Sequence, residues 1–146
     1  AVSHNKCKEV QSKVIELSDF LVNVIKRESF GAVLHGKAVY HDTCGALREC
    51  GVKAEPRTLL SHVHGLELIE MADCETCCGF GGTFAVKFEP ISVAMAQQKI
   101  NNAMAVNAKY IISTDASCLM HLQGYIDKQG LPLQTMHLAD VLTQGW

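Results

Sequence analysis

A chain of 146 residues suits one domain that buries about 70% of the surface its unfolded form exposes, so disulfide staples are not needed for stability. Hydrophobic residues make up 48% and charged ones 19%, which excludes a disordered or collagen-like chain; charges also interrupt every apolar run short of the roughly 18 residues of a membrane span. Thirteen basic against fifteen acidic side chains give a net charge of -2, and with no Lys/Arg cluster, nucleic acid is not an expected partner.

In chain order, Val14, Leu17, Leu21, Val24 and Ile25 fall at helical spacing and predict one amphipathic helix over about residues 5–28. Residues 37–41 are short and β-prone, and 66–71 alternate imperfectly; both predict strands. Pro56 opens a helix through His62, and Pro90 opens another that carries Ile91, Met95, Ile100 and Met104 to about Asn107. Tyr110-Ile111-Ile112-Ser113 is a third strand. Thr114 and Asp115 then cap a helix with Leu119, Leu122 and Ile126 on one face, stopped by Gly130 and Pro132. A fourth strand over 133–137 leads to a final helix. Strands alternating with helices predict an α/β fold, a three-layer α/β/α domain with a mostly parallel sheet of about four strands, its core spanning 37–146. Between Met71 and Pro90 lies a stretch longer than the roughly 12 to 15 residues of an ordinary loop, and such loops are usually functional.

Seven cysteines is a high and odd number, and no basic segment followed by an apolar stretch marks the N-terminus as a secretory signal. A reducing, cytoplasmic setting is therefore expected, with clustered thiols that bind metal or do redox chemistry. The chain starts at Ala1 without an initiator Met, as expected of a processed chain or part of a longer one. Cys44 follows the first strand, Cys77 and Cys78 the second, and Cys118 the third. In an open parallel sheet these positions lie along the carboxyl edge, where such folds assemble their sites, so the four thiols are expected to converge. Cys118 falls in the first turn of a helix whose dipole favours a thiolate, the form that ligates metals. Gly79, Gly81 and Gly82 permit unusual backbone angles, so amide N–H groups can turn toward the sulfurs and tune a cluster.

Cys74-Glu75-Thr76-Cys77 is a C-x-x-C, but nothing directs Cys74 inward. Cys7 and Cys50, on helices outside the cluster, read as small buried hydrophobes. His41, His121 and His137 fall near the cluster and read first as hydrogen-bonded supports, with His41 and His121 also candidate ligands. His62 and His64 read as exposed loop residues. Phe84 stands where G-x-G-x-x-G needs its last glycine, so a dinucleotide site is not indicated. Asp42, Asp115 and Arg48 are candidates only for polar contacts, and no catalytic residue is assigned. Four thiolates suit an iron–sulfur cluster. The same four, or three with His121, suit a tetrahedral zinc in a structural or interaction module. Vicinal Cys77 and Cys78, or Cys74 with Cys77, suit a thiol–disulfide oxidoreductase; an α/β ligand-binding domain whose thiols merely pack is the plainest reading.

His41-Asp42-Thr43-Cys44, 32 residues, Cys77-Cys78-Gly79-Phe80-Gly81-Gly82, and then 39 residues between Cys78 and Cys118 in Asp115-Ala116-Ser117-Cys118-Leu119-Met120-His121 together resemble the cysteine-rich CCG domain. The resemblance runs from about Lys37 to the C-terminus. That domain occurs, usually twice per chain, in heterodisulfide reductase, in the iron–sulfur component of glycolate oxidase and in the lactate-utilisation iron–sulfur protein; the stretches 77–87 and 114–121 are most similar to the last two. The resemblance implies an iron–sulfur electron-transfer domain in a 2-hydroxy-acid oxidoreductase complex acting on L-lactate or glycolate. Its partners would be the other subunits, its small-molecule substrate would be reached through the complex, and the isolated domain would be inactive. Cys44, Cys77, Cys78 and Cys118 match the family's cysteine ligands of a [4Fe-4S] cluster, with Gly79, Gly81, Gly82 and His41 around it. His121 stands where heterodisulfide reductase ends its motif in a further cysteine, which leaves the cluster type open. A single motif fits the C-terminal half of a two-domain chain.

Overall fold

The computed structural model describes residues 4–145. Four parallel strands, β1 (Val33–Tyr40), β2 (His64–Leu68), β3 (Tyr110–Ser113) and β4 (Gln134–His137), form one sheet in the order β2-β1-β3-β4. The helices are α1 (His4–Gln11), α2 (Leu17–Asp19), α3 (Ala54–Ser61), α4 (Thr83–Lys87), α5 (Glu89–Ala105), α6 (Ala116–Gln129) and α7 (Leu138–Leu142). Two wider π-helical segments, Phe20–Val24 and Gly45–Glu49, follow α2 and β1.

The period of two along the strands builds the layers. Val39 and Ile111 join Ala96, Ile100 and Ala103 of α5 and Leu122 and Ile126 of α6 in one core. Ala38, Tyr40, Tyr110 and Ile112 face the other way, onto Leu59 and Leu60 of α3 and Leu138, Val141 and Leu142 of α7. This is the expected three-layer α/β/α fold, and its sheet is parallel throughout. All four residues of β3 are buried, as they must be in a central strand covered on both faces. Pro90 lies in the first turn of α5. At α6, the Asp115 carboxylate accepts from the N–H groups of Ser117 and Cys118 at 2.8 and 3.2 Å, and Gly130, at φ +61°, closes the helix.

The predicted elements differ from the observed ones mainly where glycine or a cap intervenes. The single helix over 5–28 is divided between Gln11 and Leu17, because the Glu16 carboxylate accepts from the N–H groups of Ser18 and Asp19 and caps a new start there. The π-helical segment then adds a residue per turn, with Ile25 N–H donating to Phe20 O at 2.9 Å. Val14, in the break between α1 and α2, is 75% exposed, and the stripe rotates out of register so that Val24 is 57% exposed, while Leu21, Val22 and Phe30 pack on the sheet. Strands β1 and β2 start earlier than their composition predicts. Gly36 marks an irregularity of register in β1 and Gly65 lies within β2, and glycine obscures the alternation of a strand without ending it. His64 therefore opens β2 instead of lying in a loop. Part of the long stretch after Met71 is the short helix α4.

The strand order decides where a site can form. The β1 to β2 connection passes through α3 on one face, whereas β2 to β3 passes through α5 on the other. Chain leaving β1 and β3 therefore diverges to opposite faces and leaves a crevice at their carboxyl ends. His41 N–H donates to Ile112 O at 2.9 Å and Ser113 Oγ donates to His41 O at 2.9 Å, which pins the two strand ends together. Among the described residues no helix is long and apolar enough to cross a membrane.

Ile111→Ala, at a fully buried site shared by β3 and α5/α6, is expected to cost about 3 to 4 kcal/mol in urea unfolding. Val14→Ser and Val24→Ser should stay within about 0.5 kcal/mol of wild type. A loss well beyond that at Val14 would restore the single buried amphipathic helix.

Candidate metal centre

Three side chains from three distant segments meet in the crevice. A ring nitrogen of His41 and the sulfurs of Cys78 and Cys118 all lie within 4.8 Å of one another, and the residues are only 1%, 1% and 7% exposed. His41 follows β1, Cys78 lies in the loop between β2 and α4, and Cys118 lies in the first turn of α6 after β3. The two sulfurs are hydrogen-bonded to each other and pull each other's pKa apart. Donation from the Cys118 thiol, above all, holds Cys78 well below the usual thiol range, and the neighbouring His41 and the Phe80 N–H shift it in the same direction. Cys118 is driven up by its bond to Cys78, then by burial, then by the negative charge of Cys78 and Asp115. At Cys118 these effects oppose the helix dipole. Asp115 already occupies the helix N-terminus with its own charge, and this charge and the other shifts favour the thiolate form at Cys78 over Cys118.

The loop carrying Cys77 and Cys78 is tied down through the Cys74 carbonyl oxygen. Asp42 N–H donates to it at 3.2 Å, Lys99 Nζ at 3.1 Å, and His41 Nδ1 lies 3.4 Å away. A carbonyl only accepts, so in the tautomer that bonds it the His41 proton is on Nδ1 and Nε2 presents a lone pair. Nε2 is buried and has no hydrogen-bond partner. Lys99 is 1% exposed and also donates to Asp73 O at 2.6 Å. Burial pulls its pKa down, against the opposing negative charge of Cys74, Cys78 and Asp73. The Gly79 N–H reaches Cys77 Sγ at 3.4 Å, so amides do turn toward the sulfurs. Gly79, Gly81 and Gly82 all have positive φ.

A second anchor holds the other wall. Arg57 of α3 grips both Asp42 oxygens at 2.9 and 2.8 Å, Glu70 at 2.5 and 3.0 Å, and Lys53 O at 2.7 Å. All five of its N–H groups are used, and Tyr40 lies beneath the guanidinium. Asp42 is thereby an ion-pair partner that sets the turn before Cys44. Hydrogen bonds from Arg57 hold the Glu70 carboxyl below its ordinary value.

Cys44 and Cys77 are exposed at the same edge and lie outside the three-atom group, although Cys44 is near enough to push the Cys118 pKa upward. Cys74 is half-buried, and burial followed by the Asp42 charge raises its pKa. Cys7 and Cys50 are exposed instead of buried, because α1 and the segment after Cys44 present those positions to solvent. His121 Nε2 is turned to Ser92 Oγ at 3.2 Å, and Ser92 Oγ lies 2.7 Å from Gly79 O as its donor. His121 also meets the Phe80 ring edge-on and lines an apolar cleft between α5 and α6 with Val93, Met120 and Tyr125. His137 uses both nitrogens structurally, on Thr114 O and on the Ala139 N–H. Arg48 is exposed. Lys99, Arg57 and Ser92 support the site and are invisible to motif reading; a lysine at a core position of α5 was the one available signal.

The donor set suits a metal group: soft sulfurs, one of them pushed toward the thiolate, N–H groups aimed at them, and a buried imidazole nitrogen without a hydrogen-bond partner.

The cysteine-rich CCG domain model matches residues 38–123. Lactate utilization protein A of Anoxybacillus flavithermus is 47% identical over 137 residues, which make up 94% of this chain and 58% of that protein. The protein of the same name from Geobacillus kaustophilus is 46% identical over 137 residues, 94% of this chain and 57% of its own length. The uncharacterized protein YkgE of Escherichia coli is 43% identical over 138 residues, with 94% and 58% covered. The chain thus spans less than two thirds of the length of the curated relatives it matches.

A Cβ at Gly79 would stand 2.5 Å from Ser92 O and 3.0 Å from Met95 Cβ at φ +96°. Gly79→Ala should therefore destabilise by about 2 to 3 kcal/mol. Gly82→Ala, at φ +57° with open space around it, should cost only about 1 kcal/mol; thermal melts of the pair test the close approach of the loop to α5. Glu70 offers a pH test. Its folded pKa lies below the ordinary 4.5, so its stabilisation is complete above pH 4.5 and is lost as the pH falls through the folded value. Glu70→Gln should be slightly less stable at pH 7 and converge with wild type in acid. A gap that stays constant down to pH 3 would rule out a stabilising role for the Arg57 pairing.

Proposed function

This chain belongs to the cysteine-rich CCG domain family, and we propose that it serves there as the iron–sulfur electron-transfer domain of a complex that oxidises a 2-hydroxy acid, L-lactate ahead of glycolate. The observation that carries this reading is the buried group of His41, Cys78 and Cys118 at the switch point of the sheet. The substrate class is supported by the relatives' name, lactate utilization protein A. All seven cysteines are free, as ligands require, and a reducing cytoplasm would keep them so.

Cys44, Cys77, Cys78 and Cys118 would hold the group, which when bound supplies one-electron transfer. The chain's own residues prepare the place for it. Phe80 and Gly79 N–H groups lean on Cys78 and Cys77 and spread their negative charge. Lys99 brings a buried positive charge to the same loop, and Arg57 neutralises Asp42 beside it. The sheet and helices α5 and α6 exclude water from one side. Exposed Cys44 and Cys77 mark the other side, where a partner protein can approach for electron transfer. With less than two thirds of its relatives' length present, the chain alone should not oxidise lactate; the remaining subunits of the complex are its partners.

Purified without oxygen as the full-length protein, it should contain stoichiometric iron and acid-labile sulfide with a brown absorption that dithionite bleaches. Cys78→Ser should abolish both. Zinc alone would move the assignment to a zinc-holding module, which the mixed nitrogen and sulfur donors would also suit, and no metal at all would sink it.

A further inference from the structure

We infer that His41 ligates the metal group of this site directly, through Nε2, adding a nitrogen to the sulfurs of the surrounding cysteines. The inference rests on the metal-centre reading above and deepens it by assigning the ligand chemistry.

The position of the ring leaves little freedom. The His41 backbone is bonded on both sides, its N–H to Ile112 O and its carbonyl to Ser113 Oγ. In the tautomer that donates from Nδ1 to the Cys74 carbonyl, the lone pair is on Nε2 and cannot exchange places with the proton without losing that contact. Nε2 is buried with no hydrogen-bond partner, a destabilising arrangement unless something in the crevice accepts the lone pair. A ring nitrogen of His41 and the Cys78 and Cys118 sulfurs all stand within 4.8 Å of one another, so one metal ion can be reached by all three. Metal-ligating histidines characteristically donate their other ring N–H to a backbone carbonyl or carboxylate, which fixes tautomer and orientation. His41 has that arrangement, and its carbonyl partner belongs to the loop that carries Cys77 and Cys78.

The neighbouring histidines do not compete. His121 Nε2 faces Ser92, and His137 uses one nitrogen toward Thr114 and the other as the cap of α7. A neutral imidazole adds no negative charge where a further thiolate would, which keeps the reduction potential of a cluster held there higher.

The test uses the full-length protein, loaded anaerobically with iron and sulfide and carrying histidine-selective 15N, studied by pulsed EPR in its paramagnetic oxidation state. The expected result is a strong histidine-nitrogen coupling that changes between 14N and 15N samples. His41→Asn keeps an amide donor toward the Cys74 carbonyl and removes Nε2, so the coupling should vanish. His41→Cys should keep the iron, lose the coupling and shift the reduction potential to more negative values. Iron content and circular dichroism melts of both variants separate ligand loss from misfolding, and the labelled wild type needs no variant. A stoichiometric cluster without histidine coupling overturns the inference and leaves the cluster reading standing. So does a coupling that survives His41→Asn and disappears in His121→Asn. A protein that takes up neither iron nor sulfide overturns both.

Discussion

The carbonyl oxygen of Cys74 is the point on which the site depends. It is approached by the Asp42 N–H at the end of β1, the Nδ1 of His41 and the buried ammonium of Lys99 on α5. The oxygen has two lone pairs for three donors, and the distances are accordingly long, from 3.1 to 3.4 Å. A loop between β2 and α4 has no ladder of its own to hold it. This one acceptor joins it to the sheet and to the helical layer together, and Cys77 and Cys78 follow within four residues. The register of the thiols against His41 and Cys118 is therefore set by a backbone atom, whose identity is independent of the side chain at position 74.

Charge is managed around that point in two compartments. On the α5 side, Lys99 offsets negative charge on Cys78 without bonding to it, and the cost of burying an ammonium is met by two carbonyls. On the α3 side, Arg57 directs all five N–H groups to Asp42, Glu70 and a backbone carbonyl, so Asp42 adds little net negative charge to the crevice. The opposed pKa shifts of Cys78 and Cys118 follow from this layout. Cys78 has N–H donors and a nearby cation, whereas Cys118 has Asp115 beneath it. In a CCG domain these supports lie outside the motif that names the family, yet they set the electrostatics in which any metal group there must work.

Helix and strand periods carried most of the architecture. Tyr110–Ser113 and the Asp115-capped, Gly130-terminated α6 stand as the residues predict, because each is fixed by adjacent side chains. The N-terminal helix did not, since Glu16 and a π-helical segment reset its phase, and β1 and β2 hide their starts behind Gly36 and Gly65. The site was legible in the same uneven way. Thiols after three successive strands pointed to one edge, but which of them are buried could not be read from spacing, and Cys7 and Cys50 proved to face solvent.

The sequence by itself determined the three-layer order of elements, the edge at which Cys44, Cys77, Cys78 and Cys118 gather, and the glycines that let the loop bend, because these depend on local periodicity and backbone freedom. Only the tertiary structure decided that His41 joins Cys78 and Cys118, that Cys78 is pushed toward the thiolate and Cys118 away from it, and that Lys99 and Arg57 flank them. Those facts depend on which groups lose their water together, and residues far apart in the chain share that environment only after β1 and β3 have become neighbours.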